Sequence, residues 1–205
     1  MENTRRSSNP KISIISTFHD GNTFLLGFLK NMVEQTIFKD CELILVDADS
    51  QGNEKDLIVS YQEKYSNIKY IRTQMLKPTP CLNRAIKEAT GQYLTLALID
   101  DRKSKTCIEE LYTVLQQSPL VDLVYGDVSL SFVSNETFDQ NTHQKKFEHS
   151  QLPFSRENMV KCLPGPMPMW RKIIHDKCGF FDEDGCDFAD DWEMWLGMVH
   201  AGSSF

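Results

Sequence analysis

A chain of 205 residues is long enough to bury a sizeable core as one domain. Its 40% hydrophobic and 25% charged content is that of a globular protein, and a net charge of −7 argues against a nucleic-acid partner held through its phosphates. No apolar run approaches the roughly 18 residues of a membrane span, so no transmembrane segment is expected.

In chain order, residues 1–10 are polar, carry Arg5 and Arg6 and lack an apolar stretch. They read as a disordered lead rather than a secretory signal, which points to a cytoplasmic protein with peripheral membrane association left open. Residues 11–17 form a β-branched strand, and Phe18 to Asn22 a turn. A helix capped by Asn22 or Thr23 then runs to about Gln35, with apolar residues at helical spacing. Residues 41–46 are a second strand ending in Asp47-Ala48-Asp49-Ser50, followed by a helix over 54–65 and a strand over 68–72. After Pro78-Thr79-Pro80 comes a helix over 81–89, closed by Gly91 as its C-cap. Leu94 to Ile99 reads as a strand buried on both faces, and it runs straight into Asp100-Asp101. A helix over 104–117 and a strand over 122–126 complete five alternations, the signature of a mostly parallel sheet flanked by helices.

Beyond Gly126 the rhythm fails. Residues 128–133 suit an antiparallel strand, 134–150 are polar and expected to be mobile, and 163–169, with three prolines, read as a shaped loop or edge strand. A helix is expected over 170–178, ended by Gly179, and a last one from about Asp190 to Ala201. The six cysteines show no C-x-x-C pair and the five histidines are dispersed, so neither a zinc site nor a disulfide framework is indicated. Of the histidines, only His19 falls near the expected site.

Acidic residues follow the second strand (Asp47, Asp49) and the fourth (Asp100, Asp101), and open the last helix (Asp190, Asp191). Ligands of open α/β sheets bind outside the carboxyl ends of the strands. Oxygen ligands there suit Mg²⁺ or Mn²⁺ shared with a diphosphate. There is neither a G-x-G-x-x-G after the first strand nor a P-loop. Each acid has a plainer reading: Asp100 or Asp190 as a helix cap, Asp47 as a turn-former. Phe18 equally suits the core, and Asn83 a helix start.

Six stretches in order carry a resemblance. They are residues 12–18, 42–50 (E-L-I-L-V-D-A-D-S), 82–93 (L-N-R-A-I-K-E-A-T-G-Q-Y), 122–127 (D-L-V-Y-G-D), 179–183 (G-F-F-D-E) and 189–196 (A-D-D-W-E-M-W-L). Together they resemble a family-two glycosyltransferase with the GT-A fold, over roughly 11–202. The resemblance implies a single α/β domain over 11–205, with a nucleotide-binding half (11–102) and an acceptor or catalytic half (103–205). It implies a metal-dependent inverting transfer from a nucleotide-diphosphate sugar, UDP-sugar by default, to a hydroxyl on a glycan, lipid-linked or protein acceptor, as in polysaccharide biosynthesis. Thr17, Phe18, Asp47, Asp49, Arg72, Asn83 and Asp101 would line the donor, Asp100 would bind Mn²⁺ or Mg²⁺, and Asp191 would be the catalytic base. Asp190 and Trp170 would lie on the acceptor side, Trp170 stacking on a sugar.

Two positions depart from the family's pattern. Leu98 replaces the first acid of D-x-D-D, and Gly197 replaces an arginine in the last helix that would neutralise the diphosphate. The second departure either weakens donor binding or shifts that task to Arg102, Lys103 or Arg171. The rival reading is a catalytically impaired GT-A domain acting as a nucleotide- or glycan-binding or scaffold module. A sugar-phosphate nucleotidyltransferase ranks lower, because His19-Asp20-Gly21-Asn22 is not a glycine-rich loop.

Overall fold

The computed structural model describes residues 10–142, 152–185 and 189–205. The expected lead over 1–9, and the part of the expected mobile stretch over 143–150, lie outside the described residues. Four parallel strands come first: β1 (Ile12–Phe18), β2 (Cys41–Ala48), β3 (Ile68–Thr73) and β4 (Tyr93–Leu96). Helices α1 (Asn22–Val33), α2 (Glu54–Gln62) and α3 (Pro78–Glu88) connect them. Then follow α4 (Cys107–Gln117), β5 (Leu123–Val124), β6 (Met169–Arg171), the short α5 (His175–Cys178) and α6 (Asp190–His200). The sheet order is β3-β2-β1-β4-β6-β5, with β6 antiparallel to both its neighbours.

Strand alternation sorts the core into two layers. Ile12, Ile14, Leu43 and Leu45 face α1, α2 and α4, where Leu25, Phe28, Ile58 and Ile108 are buried. Ile15, Ile44 and Val46 face α3 and α6, where Ala85, Ile86, Met194 and Trp195 are buried. Each such side chain contributes about 1.5–3 kcal/mol by leaving water. Covered on both faces, the parallel strands read as continuous apolar runs rather than alternating ones.

Several expectations change. The central strand ends at Leu96, and Leu98 is 38% exposed, so the acidic pair hangs from a short irregular segment rather than the strand itself. No helix spans 170–178: Trp170 belongs to β6, a 3₁₀ turn covers Lys172–Ile174, and only His175–Cys178 is α-helical. β6 is an interior strand despite the prolines before it. Pro168 stops one residue short of the ladder, and its carbonyl accepts from Thr95 Oγ1 at 2.9 Å. Residues 128–133 make a single bridge at Ser129 rather than a strand. The described part of the expected mobile stretch contains a 3₁₀ turn, Phe138–Gln140, capped reciprocally by Thr137 and Gln140.

Gly91 is needed, but not as a C-cap: α3 ends at Ala89 in an extended conformation. A Cβ on Gly91 would lie 2.7 Å from Ser13 N and 2.8 Å from Ile12 C, so close approach to β1 is what requires glycine there. The same junction is held by Glu42. Its Oε1 accepts from Ser13 Oγ at 2.6 Å, Thr90 N at 2.6 Å and Thr90 Oγ1 at 2.9 Å, while Lys69 Nζ lies 2.5 Å from Oε2. Burial would raise the Glu42 pKa, but those partners outweigh it and the net shift is downward.

Candidate active site

The carboxyl ends of four parallel strands define one edge of the sheet, with Asp47 and Asp49 at the end of β2 and Asp100 and Asp101 a few residues beyond β4. The loops after β1 and β2 are laced together: Ser50 Oγ accepts from Asp20 N at 2.9 Å, and Asp20 Oδ1 accepts from Gln51 N at 3.0 Å. His19 Nδ1 lies 2.7 Å from Ala48 O and donates to it. Glu54 Oε1 accepts from Asn22 N at 3.1 Å, tying the starts of α1 and α2.

Within this edge, Thr17 is half-buried at the end of β1. Phe18 is 6% exposed and packs in the core, so it offers little surface to a base. Asp47 also faces inward. It is fully buried and accepts from Ser50 N at 2.8 Å and Tyr70 Oη at 2.6 Å, with Arg72 Nη1 at 3.8 Å. Its carboxylate builds the loop that presents Asp49. Asp49 holds φ 64° and is bound by Arg72 Nη2 at 2.9 Å, while the same nitrogen donates to Ser50 O at 2.7 Å. Asp49 and Arg72 are thus the open pair of this cluster.

Asn83 is likewise spent inside. Its amide nitrogen donates to Phe181 O at 2.8 Å and Glu183 Oε1 at 2.9 Å, and its oxygen accepts from Phe181 N at 3.1 Å. It fastens the 181–183 segment to α3, with both ends of its amide committed to that segment. Trp170 is fully buried, edge-on to Trp195 at 5.2 Å, with Nε1 donating to His175 Nε2 at 3.0 Å. An indole in the core has no face for a sugar, so the stacking role falls.

Asp100 is exposed and Asp101 half-buried on a cavity of about 880 Å³. Leu98, Arg102, Lys103 and the loop over 126–138 line it too. Burial first, then the charge of Asp100, push the Asp101 carboxyl up to about 6. Arg102 braces the floor. Its Nη1 donates to Ile99 O and Asp101 O, and its Nη2 to Phe24 O and Asn135 Oδ1.

The start of α6 meets this edge through α3. Asp190 Oδ2 accepts from Thr79 Oγ1 at 2.5 Å, just after the carboxyl end of β3, and Asp190 Oδ1 accepts from Asp191 N at 3.0 Å. Asp190 is therefore a tether as well as a helix-start acid. Asp191 accepts from Trp192 N at 2.6 Å and lies 3.9 Å from Cys162 Sγ. Burial lifts its pKa and the neighbouring Asp190 adds to this, against the Trp192 N–H. Burial also pushes the Cys162 thiol up to about 12, helped by Asp191. Thr79 and Cys162 escaped the sequence reading. Pro78 at the start of α3 was the one local hint for Thr79, and Cys162 had none.

Among the described residues, no group of three or more His, Cys, Asp or Glu side chains gathers as a metal site. The adjacent Asp100 and Asp101 still fit a hard cation, since both offer oxygen donors on the same cavity. A second cavity, of about 710 Å³, opens at the other end of β4 beside Tyr93, Arg171 and Lys172. No helix among the described residues is long and apolar enough to cross a membrane.

The family model for glycosyl transferase family 2 matches residues 13–179. The chain is 31% identical over 102 residues to a cholesterol galactosyltransferase of Borreliella burgdorferi, covering 50% of this chain and 28% of that protein. Its fold is similar to S. aureus TarS 1-349, with a TM-score of 0.74 at 16% identity over 92% of this chain and 55% of that one. Structures of that protein hold UDP and UDP-GlcNAc. The mannosyltransferase PcManGT of Pyrobaculum calidifontis, in complex with GDP-Man and Mn²⁺, gives a TM-score of 0.73 at 16% identity over 97% of this chain and 54% of that one. The chain thus spans about half the length of these solved structures and less of that curated relative.

Proposed function

Because the chain belongs to glycosyl transferase family 2, we propose that it moves a sugar from a nucleoside-diphosphate donor to an acceptor hydroxyl, with inversion and with help from a divalent cation. The observation that carries this reading is the Asp100-Asp101 pair on the large cavity at the carboxyl edge of the sheet. A UDP-sugar is the default donor, and glycan, lipid-linked and protein acceptors fit the family equally. The strands up to β4 would serve the nucleotide, and the later elements the acceptor.

In this reading Asp49 and Arg72 border the nucleoside, and Asp100 would hold Mn²⁺ or Mg²⁺ with Asp101 beside it. When bound, the cation acts as a Lewis acid on the leaving diphosphate. Asp191 is the base. Its raised pKa brings it closer to the range where a carboxylate takes up a proton efficiently near neutrality. The acceptor oxygen attacks the anomeric carbon from the face opposite the diphosphate, its proton passes to Asp191, and the C–O bond to phosphate breaks with its electron pair on the leaving group. Asp190, tied to Thr79, orients the first turn that presents Asp191.

The test is donor hydrolysis, the slow transfer to water, measured with UDP-glucose, UDP-GlcNAc and GDP-mannose in Mn²⁺. Turnover of one donor by the chain, lost in Asp191→Asn with donor affinity kept, supports the reading. Equal hydrolysis by Asp191→Asn contradicts the base assignment. A second reading rests on Leu98, 38% exposed where an acid would sit, and on Gly197, where an added side chain would meet open space. These favour a nucleotide-binding module with impaired catalysis, which would bind a nucleoside diphosphate and turn over no donor.

A further inference from the structure

Two cations line the acidic cavity, and their surroundings differ. The Arg102 guanidinium is committed to four oxygens of the protein, with Nε buried and lacking an acceptor among the described residues. Arg171 sits at the other end of β4, its donors spent on Val121 O, Tyr93 Oη, Leu115 O and Ser118 O. Lys103 is 2% exposed, and among the described residues its ammonium reaches a single acceptor, Met167 O, at a long 3.4 Å. An ammonium carries three donors, and burying one so poorly matched is costly. The backbone is held regardless: Asn31 Oδ1 accepts from Lys103 N at 2.8 Å, and Asn31 Nδ2 donates to Lys103 O at 2.8 Å. A methionine would fill the same space without the penalty.

The electrostatic setting gives the charge a use. Lys103 lines the same cavity as Asp100 and Asp101, so its ammonium belongs to the wall that carries the acidic pair. Taking the donor reading above as its premise, we propose that Lys103 is the cationic side chain that binds the diphosphate of the nucleotide donor. Its spare N–H groups face phosphate oxygens once the ligand enters, in a setting where water screens little. The ligand class is a nucleoside diphosphate, recognised through its pyrophosphate and not its base.

Calorimetric titration of the full chain at fixed Mn²⁺ separates the parts. UDP, GDP, CDP and dTDP are screened first, and the best binder is compared with its bare nucleoside on wild type, Lys103→Met and Lys103→Arg. Thermal unfolding accompanies each variant, and Lys103→Met is expected to melt at or above wild type. The expected result is a fall of about 10–100-fold in diphosphate affinity for Lys103→Met, with nucleoside affinity unchanged and partial recovery in Lys103→Arg. Equal diphosphate affinity in wild type and Lys103→Met overturns the assignment, as does a parallel loss for diphosphate and nucleoside. If wild type binds none of the four diphosphates, the donor reading itself fails and the role of Lys103 goes with it.

Discussion

Replacing Gly91 with alanine adds one methyl group at the tightest backbone crossing near the site. That methyl would lie 2.7 Å from Ser13 N and 2.8 Å from both Ile12 C and Ser13 Oγ. Two of these are backbone atoms of β1, which is paired on one side with β2 over seven residues and on the other with β4 over four. The strand therefore cannot step aside without breaking a ladder. Overpacking of this kind costs about 1–3 kcal/mol. Gly91 N also donates to Ser13 Oγ at 3.0 Å and Glu42 Oε1 at 3.3 Å, and stranding that buried donor adds about 1–3 kcal/mol. A total of about 4 kcal/mol lowers Tm by roughly 8–16 °C in a chain of this length. Gly197→Ala is the control. It lies inside α6 with open space around it, so the same methyl should stabilise by about 0.5–1 kcal/mol. Differential scanning calorimetry on both variants reads the contrast, and a Gly91→Ala protein melting within about 2 °C of wild type would refute the close-approach reasoning.

Other outcomes follow from the same geometry. His175 is buried with its pKa lowered from 6.5, chiefly by burial, and its Nε2 must accept from Trp170 Nε1 while Nδ1–H donates to Gly179 O at 2.7 Å. The folded state resists protonation there, so this stability is complete above pH 6.5. It drains at about 1.4 kcal/mol per pH unit as pH falls towards the lowered folded value, and a flat Tm between pH 7 and 5 would count against it. Trp170→Phe leaves Nε2 without its donor and a small void beside Trp195, and urea titration should show a loss of about 2–4 kcal/mol. Asp191 has the opposite sign to His175. Its pKa is raised above 3.8, so donor turnover should fall on the acid side with a midpoint above pH 3.8, and a pH–rate profile whose acid limb survives Asp191→Asn would exclude it as the base.

The first four strands and the acids at their ends were legible because their signals are local: apolar runs of strand length, and a turn that begins with Asp. What the acids do was less legible. Asp47 and Asn83 are polar residues at the right addresses, yet they turn inward because their partners, Tyr70 and the 181–183 segment, come from remote parts of the chain. The helix expected over 170–178 failed for a similar reason. β6 is fixed by antiparallel pairing to β4 and β5, and three residues carry no period of their own. That pairing buries Trp170 and leaves no sugar platform there. Gly91 was recognised as necessary for the wrong cause, since a glycine kept for close approach looks in sequence like one kept for a left-handed turn. At Lys103 the residue was visible, but its burial and spare donors were not.

The most direct test is whether a nucleoside diphosphate binds through the acidic pair after β4. Calorimetry of UDP, GDP, CDP and dTDP would be run with and without Mn²⁺ on wild type, Asp100→Ala and Asp191→Ala. One nucleotide is expected to bind tightly with Mn²⁺, to weaken at least tenfold without the metal and in Asp100→Ala, and to keep its affinity in Asp191→Ala. Absence of binding for all four, or binding indifferent to both Mn²⁺ and Asp100, would contradict a donor site at this edge of the sheet.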